Sequence, residues 1–177
     1  MWPRLPIDAA MNVSILPTAD LCDRYDDQLQ VCAPLLHHYG GRSAFHGQVI
    51  TVKCFEDNSL VRETLAEDGY GKVLVVDGGG SLRCALLGDQ LARLALDQGW
   101  AGIVVNGCIR DSAQIADMDI GVMALATHPR KSIKLGQGQR KLPLHFAGVH
   151  FSPDHHLYCD ADGIILAEWP LTLENEP

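Results

Sequence analysis

The stretch Val73–Pro129, VLVVDGGGSLRCALLGDQLARLALDQGWAGIVVNGCIRDSAQIADMDIGVMALATHP, decides the fold. It holds two short apolar runs, Val73–Asp77 and Gly102–Asn106, each meeting glycine at its end with polar residues straight after. A third run, Val122–Thr127, follows a short helical segment. Runs alternating with helical intervals predict parallel strands joined by crossover helices, an α/β fold with a central βαβ unit. Ligands of such sheets collect beyond the carboxyl ends of the strands. Gly78–Gly80, Gly107, Arg110 and Asp111 all fall there.

Outward from this unit, 177 residues are enough for one domain with its own core. The expected division is a disordered lead over 1–14, a single domain over 15–170 and a tail over 171–177, with Met1 or Met11 as the start. The net charge is −8, from 14 Lys+Arg against 22 Asp+Glu. That balance argues against direct nucleic-acid binding, which needs a basic face, and suits small or cationic partners. No run approaches the roughly 18 apolar residues of a membrane span, and the N-terminus makes a poor signal peptide. The expected location is therefore the cytoplasm, without membrane attachment. Six cysteines lack any C-x-x-C pair or zinc spacing and read as reduced thiols. Cys108 reads as a buried, inert thiol or, beside Arg110, as a lowered-pKa nucleophile.

Along the chain, Thr18 opens a helix to about Asp26 as a capping residue. Residues 33–44 read as irregular, and Phe45–Phe55 as a strand rich in β-branched residues. Asp57 or Asn58 caps a helix to about Glu67. Past Pro129 come a basic, glycine-containing loop and three β-like runs, Leu144–Phe151, His156–Cys159 and Gly163–Glu168.

Three constellations bear on chemistry. Gly88-Asp89-Gln90-Leu91 opens a helix stopped at Gly99. Its first turn offers free N–H groups to a carboxylate or phosphate, unless Gly88 only eases the turn and Asp89 only complements the helix dipole. Arg110-Asp111 serves one ligand from a loop bent at Gly107, with Arg as a fork for a carboxylate and Asp as a hard oxygen for Mg²⁺ or Mn²⁺. Alternatively, Asp111-Ser-Ala-Gln114 is a helix capping box with a solvated Arg110 beside it. His150, Asp154, His155 and His156 suggest a metal cluster, but adjacent histidines on a strand point apart, so surface turn histidines are the simpler account. The Gly78–Gly80 triplet is not a dinucleotide fingerprint, and Asp77 either faces a pocket or caps the turn.

Taken together, VLVVDGGGSLRCALLGDQLA, GWAGIVVNGCIRD, DIGVMALATHPRKS and FAGVHFSPDHHLYCDADGIILAE resemble the family called regulator of ribonuclease activity A. That family includes metal-dependent 4-hydroxy-4-methyl-2-oxoglutarate aldolases, and its members were once labelled menaquinone-pathway methyltransferases. The likeness covers about residues 15–170. It implies a layered β/β/α fold like the phosphohistidine swivelling domain, and a homotrimer with sites between subunits. It also implies a class II aldolase that yields two pyruvates, with oxaloacetate decarboxylation as a side activity. By resemblance, Gly88, Asp89, Gln90 and Leu91 hold the pyruvyl carboxylate, Arg110 is the substrate arginine, and Asp111 ligates Mg²⁺ or Mn²⁺. Asp89 steadies the catalytic water. Gln114 departs from the acid usual at that position in the aldolases. The family's name implies the alternative: a non-catalytic inhibitor that binds the arginine-rich region of an endoribonuclease of the RNase E type.

Overall fold

In the computed structural model the described residues are 16–173. The expected lead over 1–14 lies outside them, as do residues 174–177 of the expected tail. Helix α1 (Thr18–Tyr25) passes through a 3-10 turn to strands β1 (Gln30–Val31) and β2 (His37–His38). Next come β3 (Phe45–Lys53), α2 (Ser59–Leu65), β4 (Lys72–Asp77), β5 (Ala85–Leu87) and α3 (Asp89–Asp97). They are followed by β6 (Gly102–Ile109), α4 (Ser112–Ala116) and β7 (Gly121–Thr127). The remainder is strand and loop: β8 (Gln139–Arg140), β9 (Leu144–Phe146), β10 (Val149–Phe151), β11 (His156–Asp160) and β12 (Gly163–Ala167). No helix among the described residues is long and apolar enough to cross a membrane.

The main sheet runs β1-β12-β11-β3-β4-β6-β7-β2, with β5 added to β6 and β8 to β3. Its centre, β3-β4-β6-β7, is parallel as expected, with α2, α3 and α4 in the crossovers. The flanking strands are antiparallel, so the architecture is mixed.

The composition of β4 explains the layering. Leu74 and Val76 enter a core with Val61 and Leu65 of α2 and Ala95 of α3. Val73 and Val75 enter a second core with Phe45, Leu157 and the hairpin residues Phe146 and Phe151. A strand covered on both faces needs a continuous apolar run rather than an alternating one. Helices thus form one layer, the sheet the next, and the β9–β10 hairpin with the curled antiparallel strands the third. This is the expected β/β/α arrangement within one domain. Leu74 is 0% exposed; truncating such a side chain to Ala costs roughly 2–5 kcal/mol.

Several local expectations give way to tertiary contacts. Thr18 does not cap α1; its amide and hydroxyl both donate to the Asp160 carboxylate, at 2.8 and 2.7 Å. This pins α1 over a small third core of Leu21, Tyr158 and Ile165. Within the segment expected to be irregular, His37 and His38 form an edge strand on Ala124 and Met123. In the basic loop, Gln139 and Arg140 pair with Lys53 and Val52. Strand β5 has three residues, too few to show a period.

Candidate active site

Strand β5 ends at Leu87 and delivers Gly88 as the N-cap of α3. Strand β6 runs on to Ile109, three residues past the expected Asn106, and its last residues lie beside β5. The Arg110 amide donates to Leu87 O at 2.8 Å, locking the two chain turns together. Gly107 does not supply the expected bend. It lies inside β6, where the pairing with β7 shifts register between Val105 and Cys108. The turn comes instead at Asp111, whose φ of 55° and ψ of 39° place it in the left-handed region. Aspartate tolerates that region better than most side chains.

The capping-box alternative fails as well. Asp111 occupies the N-cap of α4 but makes no side-chain cap bond. Its Oδ2 reaches across to accept the Asp89 amide at 3.1 Å, with Arg110 Nε 3.9 Å away. A Cβ at position 88 would lie 2.8 Å from that same Oδ2 and 3.4 Å from Arg110 Nε. A side chain there would therefore push the Asp111 carboxylate and Arg110 aside, and glycine leaves them room to meet the Asp89 amide. The motifs at 88–91 and 110–111, read separately in the sequence, form one contact. The Asp89 amide is engaged by Asp111, and Gln90 and Leu91 follow in the first turn, where an N–H has no intrahelical acceptor.

These residues form one wall of a cleft of about 100 Å³. The facing wall was not foreseen: Asn58 and Arg62 come from the start of α2, and Lys131, Ser132 and Lys134 from the basic loop. Only the run of basic residues at 130–134 hinted at it, and nothing local says which way that run turns. Four cationic side chains (Arg62, Arg110, Lys131, Lys134) face two carboxylates (Asp89, Asp111), so the cleft attracts anions although the chain is acidic. Ser132 Oγ and Asn58 Oδ1 are buried without a hydrogen-bond partner among the described residues.

Other sequence candidates lie elsewhere. Gln114 lines a neighbouring hollow with Arg93 and Asp117, which Asp89 and Gln90 also border. Gly79 belongs to a different hollow, beside Lys53 and Phe55. Asp77 borders that same hollow and also caps its turn, accepting the Gly79 amide and the Asn106 side-chain amide, both at 2.9 Å. The histidines do not converge: His150 stacks on His145 with centroids 4.4 Å apart, and His156 lies on β11. All six cysteines are unpaired. Cys108 is 1% exposed, and burial pushes its thiol up, so it is inert rather than nucleophilic.

No group of three or more His, Cys, Asp or Glu that would cage a metal occurs among the described residues. A Mg²⁺ ion does not need such a cage, because it keeps most of its waters and takes only one or two carboxylates plus ligand oxygens. Asp111 fits this requirement: its contacts with Asp89 and Arg110 run through Oδ2, and its side chain is 35% exposed.

The family model described as Aldolase/RraA matches residues 18–166. A Pseudomonas syringae pv. tomato protein, provisionally named a 4-hydroxy-4-methyl-2-oxoglutarate aldolase, is 56% identical over 156 residues, covering 88% of this chain and 96% of its own. A Geobacillus kaustophilus structure described as S-adenosylmethionine:2-dimethylmenaquinone methyltransferase superposes with a TM-score of 0.88 at 52% identity, covering 91% of this chain and 100% of that one. The RNA-processing inhibitor RraA from Thermus thermophilis superposes with a TM-score of 0.86 at 46% identity, covering 89% and 96%.

Proposed function

We propose that this chain, which belongs to the Aldolase/RraA family, is a metal-dependent class II aldolase that cleaves 4-hydroxy-4-methyl-2-oxoglutarate to two pyruvates and also decarboxylates oxaloacetate. The observation that carries the reading is the contact between Asp111 Oδ2 and the Asp89 amide. It gathers helix-turn amides, a guanidinium and a carboxylate into one anion-attracting cleft. The names of the curated relatives support the same activity.

In this reading the Gln90 and Leu91 amides of the Gly88–Leu91 turn take the pyruvyl carboxylate, the Asp89 amide being held by Asp111. Arg110 supplies positive charge where the enolate oxygen develops. Asp89 orders a water that accepts the proton of the C4 hydroxyl. As that proton leaves, the C3–C4 bond breaks, one pyruvate departs as the new ketone, and the bonding pair becomes the enolate of the second. Protonation at C3 completes the turnover. With oxaloacetate the same bond breaks to release carbon dioxide. A Mg²⁺ or Mn²⁺ ion held by Asp111 would supply Lewis-acid polarisation of the 2-oxo acid when bound.

The proposal extends to a homotrimer with clefts at subunit interfaces. Ile133 and Leu135, which alternate with the cleft residues Ser132 and Lys134, are 54% and 66% exposed and would be covered by a subunit seated at the cleft. Light scattering of purified protein tests the trimer. The decisive test of function is pyruvate formation, coupled to lactate dehydrogenase, on metal-stripped and metal-reloaded protein. Pyruvate from either substrate only after reloading supports the enzyme; no pyruvate with either overturns it.

A second reading is favoured by the 46% identity to an RNA-processing inhibitor and by the net charge of −8. Here the protein masks a basic, arginine-rich segment of an endoribonuclease without catalysis. Salt-sensitive binding to such a segment, with no pyruvate formed, would favour it.

A further inference from the structure

The cleft has two walls from distant parts of the chain, and one turn touches both. Asn58 donates its side-chain amide to Leu86 O at 3.2 Å, tying the Glu56–Ser59 turn to the strand that leads into Gly88. The neighbouring Asp57, 0% exposed, grips the opposite wall. Its Oδ2 accepts the Leu135 and Gln137 amides at 2.8 and 3.2 Å, while Oδ1 accepts the Ser59 amide and hydroxyl at 2.9 and 2.6 Å. Ser59 Oγ in turn accepts the Gly136 amide at 3.0 Å, and the Ile133 amide donates to Glu56 O at 3.0 Å. The segment that carries Lys131, Ser132 and Lys134 into the cleft is therefore anchored on this turn.

From this geometry we infer that Asp57 is a positioning residue for the reaction: its buried carboxylate seats the cationic loop and thereby sets affinity for the part of the substrate beyond the pyruvyl half. The inference rests on the aldolase reading. If the pyruvyl end lies on the Gly88–Leu91 and Arg110–Asp111 wall, the rest of the molecule faces Arg62, Lys131 and Lys134, and a second carboxylate there needs those cations in register. Asp57 touches no substrate; it acts through the loop lysines. Asp57→Asn keeps the volume but turns an amide NH₂ or a weaker oxygen toward donors that need a carboxylate.

The experiment measures two reactions on the metal-loaded protein. Oxaloacetate decarboxylation uses both ends of the cleft, and exchange of the pyruvate methyl protons, followed by NMR, uses only the pyruvyl end. Asp57→Asn is expected to raise KM for oxaloacetate about tenfold, leaving pyruvate exchange within about twofold. Ser59→Ala, a milder change that keeps the carboxylate, is expected to give about a threefold rise and carries the test if Asp57→Asn does not fold. On a Lys134→Ala, Lys131→Ala background either change is expected to add less than about twofold, because the groups it positions are gone. Equal losses in both reactions, or effects that simply multiply on the lysine-free background, overturn the inference and leave the aldolase reading standing. A wild-type protein silent in both reactions overturns the reading and this inference with it.

Discussion

After β3 the chain turns through Glu56 and Asp57 into α2, and after β6 it turns through Arg110 and Asp111 into α4. Both turns sit at the carboxyl end of a parallel strand, and each contains an acid in the left-handed region, Glu56 at φ 56° and Asp111 at φ 55°. The two aspartates of these turns, Asp57 and Asp111, have opposite surroundings. Asp57 is buried and accepts four hydrogen bonds; Asp111 is a third exposed and accepts one. A carboxylate with filled valences holds structure, whereas one kept part-exposed on a strained backbone is available to a ligand. Two turns of similar outline thus divide the labour, one fixing the cleft and the other lining it.

The largest expected effect tests the open turn. Asp111→Ala is expected to lower pyruvate formation by about a thousandfold or more with an unchanged circular-dichroism spectrum, and EDTA is expected to do the same to wild type until Mg²⁺ or Mn²⁺ is restored. Full metal-dependent activity in Asp111→Ala would break the comparison. Arg110→Ala is expected to reduce kcat by about 10²–10³-fold, the usual consequence of removing a group that meets developing negative charge. Next comes Gly88→Ala, whose methyl would crowd Asp111 Oδ2. A drop of about tenfold to a hundredfold in kcat/KM at near-native stability is expected, and wild-type kinetics would show that the contact has no part in turnover.

The closed turn is sharpened by stability rather than rate. Burial raises the Asp57 pKa, but the hydrogen bonds from Ser59, Leu135 and Gln137 outweigh it and bring the carboxyl down to about 2. Because the folded value lies below the ordinary one, the stabilisation is complete above about pH 4 and is lost as pH falls through about 2. Thermal unfolding between pH 5 and pH 2 is expected to show Asp57→Asn destabilised by roughly 1–3 kcal/mol at the upper end, with the gap to wild type closing toward the lower. A constant gap across that range would mean the carboxylate is not what the loop depends on.

The legibility of these features differs with their range. The runs at Val73–Asp77 and Gly102–Asn106 and the glycine stop at Gly99 were readable because strand and helix order is written in neighbouring residues. Arg110 and Asp111 stood out as a pair after a strand, yet the capping-box alternative for Asp111 was equally consistent with the local pattern. Only the left-handed backbone and the bond to Asp89, 22 positions away, decide between them. Lys131 and Lys134 were visible as charge but not as cleft residues, since their direction depends on Asp57 bonds spanning 78 and 80 positions.

By itself the sequence determined the central parallel unit, the acidic balance, the family likeness and the residue types that meet at the strand ends. Each of these is set by composition, period or contiguous motif. The tertiary structure alone decided that two turns face each other across one cleft, that the absence of a side chain at Gly88 leaves room for Asp111 and Arg110, and that a buried aspartate anchors the cationic wall. Those outcomes depend on hydrogen bonds between segments that become neighbours only after the sheet has formed, and no local pattern encodes which donor finds which acceptor.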